Sequence, residues 1–276
     1  IRWPCAANGV SGLKPTWGRV SRHGTFDLAP SLDHIGPIAR SVVGVAALFK
    51  AIAGHDVNDP TTISRPVVDY MADTFADVRG KRIGIDRNWN SDDVDVGTQV
   101  ALAEACAVFS DLGVEIVDVS FPDVRQIVLD WTPNCAVEAA VVHEAAYALH
   151  KEQYGPILSS VVEAGMAGSG MDYQRILLRR AAFRGQVEAL LSSVDAVLTP
   201  IHPFAPLTLK TIATLGEQPE LIAKLQRYTC PFNMSGHPTL AFPGGVSADG
   251  MPIGLQLIAA AFDESSLLAL GAAFQG

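Results

Sequence analysis

Three consecutive runs decide the fold: Arg82-Ile83-Gly84-Ile85-Asp86, then Val96 to Leu112, then Val114-Glu115-Ile116-Val117-Asp118-Val119. The first and last are short and rich in β-branched residues, as strands are, while the middle run is an amphipathic helix pattern stopped by Gly113. A strand, a helix and a strand in this order form a βαβ unit, which implies two parallel strands joined by a right-handed crossover.

Working outward from this unit, Ser41 is placed to cap a helix whose apolar positions Val42, Val45, Ala46, Phe49 and Ile52 recur at helical spacing, with Gly54 as its stop. Thr61 to Gly80, which contains Pro66, reads as a surface connection. On the C-terminal side, Asp130 to Gln153, Gly155 to Ala164 and Asp172 to Ser193 form a helical block, with Gly165 to Gly170 as a flexible joint. Asp195 to Pro200 returns to a strand that runs into a proline-rich loop. After a helical stretch at Pro219 to Arg227, the strands Thr239 to Phe242 and Ile253 to Ala259 flank a hairpin turn at Ala248-Asp249-Gly250. A final helix spans Asp263 to Phe274, with Asp263 as its cap. Strands mixed with helices throughout predict a layered α/β/α arrangement around a sheet of mixed direction.

The composition narrows the function. With 276 residues, 49% of them hydrophobic, the chain has enough apolar surface for a sizeable core. Its formal net charge of -9 repels phosphate backbones and anionic lipid surfaces, so neither nucleic acid nor a membrane is expected as a partner. The most apolar helix candidate, Ala136 to Leu149, is broken by Glu138, His143 and Glu144. The four cysteines lie far apart with no metal-ligand or redox spacing, which fits reduced thiols in a cytoplasmic protein. No metal site and no cofactor are expected: Gly244-Gly245 lacks the Lys-Ser or Lys-Thr of a phosphate loop, and Glu138 and His143 do not form a zinc-hydrolase motif. A self-contained nucleophile elbow is missing as well, because Asn233-Met234-Ser235-Gly236-His237 lacks its first glycine. Ser235 and His237 therefore read as structural.

The clearest motifs lie at the two ends. Ile1-Arg2-Trp3-Pro4 leads into Gly12-Leu13-Lys14-Pro15-Thr16-Trp17-Gly18-Arg19-Val20-Ser21 and Ser31-Leu32-Asp33-His34-Ile35-Gly36-Pro37. Near the C-terminus stand Tyr228-Thr229-Cys230-Pro231-Phe232-Asn233-Met234-Ser235-Gly236-His237-Pro238 and Gly250-Met251-Pro252-Ile253-Gly254-Leu255-Gln256-Leu257. Together these strings resemble the downstream part of the amidase signature family, serine hydrolases that cut carbon–nitrogen bonds with a serine, cis-serine and lysine triad. The resemblance implies a single amidase-signature domain of which residues 1–276 are the C-terminal portion, with a mixed twisted sheet that is incomplete at its N-terminus. It implies that the nucleophilic serine stands immediately before Ile1, with the cis-serine and lysine further upstream, so the chain holds no catalytic residue and alone hydrolyses nothing.

On the same resemblance, Arg2 and Asp33 are expected to form a pair that supports the turn of the nucleophile. Trp3, Trp131, Thr199, Ile201, His202, Phe232 and Asn233 are candidates for the substrate pocket, since loops at strand ends are its usual place in an open α/β sheet. Lys14 is expected to be structural. The implied reaction is hydrolysis of a small carboxamide, anilide or carbamate through an acyl-enzyme. The implied partners are that substrate, the upstream part of the same enzyme and a second copy in a homodimer. Two alternatives stand beside it: the glutaminase subunit of a tRNA-dependent amidotransferase, and a catalytically inactive binding or assembly module. Against the first, Ala164 to Arg184 lacks the longer arginine-rich and tyrosine-rich stretches of that glutaminase.

Overall fold

A computed structural model describes residues 1–276. Seven strands form one sheet: β1 (Ser11–Lys14), β2 (Ile38–Ala39), β3 (Arg82–Ile85), β4 (Glu115–Asp118), β5 (Ala196–Pro200), β6 (Thr239–Val246) and β7 (Pro252–Ile258). Their spatial order is β2-β1-β6-β7-β5-β3-β4. β3 runs parallel to both β4 and β5, as the βαβ reading requires, and every other neighbouring pair is antiparallel. The sheet is therefore mixed.

The helices are α1 (Arg2–Asn8), α2 (Val42–Ile52), α3 (Tyr70–Asp73), α4 (Val96–Asp111), α5 (Arg125–His150), α6 (Pro156–Met166), α7 (Gly170–Leu191), α8 (Leu209–Ala213), α9 (Pro219–Gln226), α10 (Cys230–Ser235) and α11 (Glu264–Gln275). Ser41 caps α2 by accepting from the Gly44 amide, and Asp263 caps α11 by accepting from that of Ser266. None of the helices is long and apolar enough to cross a membrane.

Strand alternation sends side chains to two different layers. On one face, Leu13, Ala196, Leu198, Leu240, Phe242, Leu255 and Leu257 join α2, α4 and α11 in a cluster of 24 buried apolar residues. On the other, Val197 and Ile258 pack with α5, α7 and α10, while Ala241 and Ile201 pack with Cys5 and Ala6 of α1. This is the expected α/β/α layering.

Three local readings are corrected. The connection at 61–80 contains α3, and Tyr70 is buried there because its hydroxyl accepts from the Arg19 guanidinium at 2.8 and 3.0 Å. The helix expected to begin at Asp130 begins at Arg125 and runs through Pro133, held by the buried Ile127 and Asp130. Gly165 is no flexible joint: it lies inside α6, where an added Cβ would stand 1.9 Å from the Ala136 carbonyl oxygen, so it lets α5 and α6 pack backbone to backbone.

Candidate active site

Helix α1 begins the site. It lies across the sheet against β6 and β7, and the approach depends on Gly254, where an added Cβ would come within 2.5 Å of the Ala6 Cβ. This fixes Arg2 in the first turn, 5% exposed, beside a cavity of about 300 Å³. The cavity walls include Ile1, Arg2, Trp3, Lys14, Trp131 and Asn233. Trp131 and Cys135, one helical turn apart on α5, form one side of it.

The expected Arg2–Asp33 pair does not form. Arg2 instead donates through Nη2 to Asn233 Oδ1 and through Nη1 to Gln256 Oε1 at 3.5 Å. Gln256 is fixed in turn, because its Nε2 donates to the Tyr228 carbonyl at 2.6 Å and to Thr199 Oγ1 at 3.1 Å. Asn233 is held by donating from Nδ2 to the Leu32 carbonyl at 3.1 Å. Burial lowers the Arg2 guanidinium to about 10, so it remains charged at neutral pH. Asp33 spends its carboxylate locally, accepting from the amides of Leu28 at 2.7 Å and Ala29 at 3.0 Å. It closes the 28–33 turn along the cavity wall. A carboxylate so occupied has backbone donors nearer than any guanidinium, which is why sequence proximity gave the wrong partner.

The pocket candidates separate into two groups. Trp3, Trp131 and Asn233 line the cavity. Thr199, Ile201 and Phe232 do not: Thr199 accepts from Gln256, Ile201 packs under α1, and Phe232 belongs to the α5/α7 core, all three fully buried. These positions support the site from behind: Thr199 and Ile201 lie at the end of β5, with Ile201 beneath α1, and Phe232 is the α10 residue that packs into the α5/α7 core. His202 is intermediate; it meets the Trp3 ring edge to face, 5.4 Å between centroids, and burial pushes its imidazole down to about 4. Trp17 lines a separate cavity with Arg180 and Ser235.

Sequence reasoning missed two contributors. Gln256 is a polar residue inside the apolar run of β7, a signal that alternation could have exposed. Lys14, expected to be merely structural, is 2% exposed and lines the cavity. Its Nζ donates to the Pro15 carbonyl at 3.1 Å and to His34 Nε2, also at 3.1 Å. The short contact of His34 Nδ1 with the Leu32 carbonyl, 2.6 Å, places the ring proton on Nδ1 and leaves Nε2 as the acceptor. Burial holds Lys14 well below the usual lysine range, and Arg2 nearby adds to that effect. The cavity thus receives two buried basic side chains whose hydrogen bonds all go to neutral groups. No group of three or more His, Cys, Asp or Glu side chains is arranged to hold a metal ion.

Comparison with known proteins agrees with this architecture. Residues 1–268 match the Amidase family. Over 276 residues the chain is 41% identical to "Putative amidase AmiD" of Mycobacterium tuberculosis, covering all of this chain and 58% of that protein. It is 35% identical to a glutamyl-tRNA(Gln) amidotransferase subunit from Chloroflexus aurantiacus, covering 60% of that protein in an alignment that needs 298 positions. Among solved structures, a chain from a vestigial protein complex that bears on the evolutionary origins of an s-triazine catabolic enzyme superposes with a TM-score of 0.88 at 30% identity, over all of this chain and 60% of its own. The chain therefore spans about three fifths of the length of these relatives. With a mixed α/β sheet, end motifs that meet in one cavity and a family match across nearly every residue, this chain belongs to the amidase signature family.

Proposed function

We propose that the protein containing this chain hydrolyses the carbon–nitrogen bond of a small carboxamide, anilide or carbamate through an acyl-enzyme on the serine preceding Ile1. The observation that carries the reading is the convergence of Ile1, Arg2 and Trp3 with Asn233 around one cavity. A residue joined to Ile1 has its Cα about 3.8 Å from that of Ile1, at the cavity wall.

The serine oxygen attacks the substrate carbonyl carbon while its proton passes through the cis-serine to an uncharged lysine, both upstream. That proton then goes to the leaving nitrogen as the carbon–nitrogen bond breaks, and water hydrolyses the remaining ester to the acid. Within this chain, Arg2 holds the turn that follows the nucleophile, and it does so through Asn233 and Gln256. Trp3 and Trp131 supply a flat apolar wall for the acyl group, and about 300 Å³ suits a small one. The localisation that fits is the cytoplasm, with four free cysteines.

The test is to incubate full-length protein with a fluorophosphonate and with a panel of amides, anilides and carbamates. Labelling of the serine before Ile1 and turnover that is lost on its replacement by alanine are expected. Turnover without labelling at that serine would sink the mechanism. Glutaminase activity is the second reading, favoured by the amidotransferase relatives. The higher identity to the amidase relative, 41% over 276 residues against 35% over 298, speaks for the first.

A further inference from the structure

Lys14 is a buried titratable group that the mechanism above leaves idle. A buried lysine ordinarily has a carboxylate partner, since an isolated buried charge is costly. Lys14 has none: its two hydrogen bonds end on a carbonyl and an imidazole. An ammonium has three N–H donors, so one remains. The side chain lines the cavity beside Ile1 and Arg2, and the cradle that holds it is itself fixed, because His34 is anchored to the Leu32 carbonyl on the same wall.

Such an arrangement resembles a pre-set donor more than a structural tie. A tie would satisfy the amine completely, whereas a donor kept unpaired in a dry site stabilises negative charge that appears only during reaction. We propose that Lys14 is a positioning residue for the hydrolytic reaction, its ammonium held by His34 and Pro15 so that its positive charge favours the anionic intermediate at the residue preceding Ile1. The inference rests on the placement of the nucleophile proposed above. Lys14 transfers no proton in this role; it acts through its charge and its remaining donor. The charged or titratable groups that face it are Arg2, His34, His237, Glu264 and the Ile1 end of the chain.

The experiment uses the full-length enzyme with p-nitroacetanilide, or whichever anilide the panel shows to be turned over. Lys14→Met, close in length and uncharged, is expected to lower kcat by roughly 100-fold with KM within about twofold of wild type. Its melting temperature should hold or rise, because replacing a buried charge by a well-packed apolar group is often neutral or stabilising. Lys14→Arg should recover at least tenfold of the lost kcat. A kcat for Lys14→Met within twofold of wild type overturns the proposal, as does a loss of rate that only follows a fall in melting temperature. The pH profile gives a reading that does not need the Met variant to fold. Wild type should lose rate on the alkaline side as Lys14 gives up its proton, and Lys14→Arg should move that limb upward by more than one pH unit; an unmoved limb overturns the proposal. If wild type neither turns over any amide nor labels at the serine, the functional reading and this inference fall together; an active, labelled wild type with an indifferent Lys14→Met removes this inference alone.

Discussion

The two faces of the same sheet differ in how they use buried polar groups. One face offers Leu13, Leu198, Leu255 and Leu257 to α2, α4 and α11, and its cluster of 24 buried residues is apolar throughout. The other face, reached by the neighbouring residues on the same strands, offers Lys14, Thr199 and Gln256, all 2% exposed or less. A one-residue change of position therefore separates a packed core from a hydrogen-bonded site. The first face draws stability from area removed from water; the second spends buried polar groups on holding α1 in place. Mutations should reveal this division, with stability lost on one side and turnover on the other.

The largest effect is expected from Leu257→Ala on the apolar face, where a fully buried leucine leaves a cavity worth about 2–5 kcal/mol. Denaturant melts of the full-length enzyme measure it, and the folded fraction should retain its kcat. A collapse of kcat without loss of stability would break the comparison. Gln256→Leu on the opposite face should cost less, about 2–3 kcal/mol, for the orphaned Tyr228 carbonyl and Arg2 guanidinium. Here turnover should fall at least tenfold at temperatures where the protein stays folded, and full activity would show that Arg2 needs no support from behind.

Acid should act on the second face. His202 is buried neutral with its imidazole at about 4, below the ordinary value of 6.5. The unfolded state binds the proton first, so stability present above pH 6.5 declines as pH falls toward 4, by roughly 3 kcal/mol in total. His34 and His237, also lowered by burial, push in the same direction. Melting temperature measured against pH should show this slope, and His202→Phe should flatten part of it; an unchanged slope would remove His202 from the account.

The smallest effect sharpens the corrected pairing. Asp33→Ala should cost about 1–2 kcal/mol for the unsatisfied amides of Leu28 and Ala29, well short of the loss expected on breaking a buried ion pair. A cost of about 4 kcal/mol or more would restore an Arg2–Asp33 pair.

What the chain determined by itself was its periodicity and its motifs. The βαβ unit at residues 82–119, the caps at Ser41 and Asp263 and the hairpin near Gly250 are local, set by which neighbours repeat every two or every 3.6 residues and by residues with only one good turn geometry. The family motifs at the two ends were equally legible, and Arg2, Trp3 and Asn233 from those motifs line one cavity together with Trp131. Partner choice was decided by the tertiary structure alone. Arg2 turns from Asp33 to Asn233 and Gln256, which are 231 and 254 positions away, because backbone amides had already engaged the nearer carboxylate. Ile201 sits behind the wall because α1 reaches the sheet over Gly254 and packs on it, Thr199 is tied to Gln256, and Phe232 packs into the α5/α7 core. Hydrogen bonds and burial depend on distances in space that no residue spacing along the chain encodes, and Lys14 acquired its place beside the cavity in the same way.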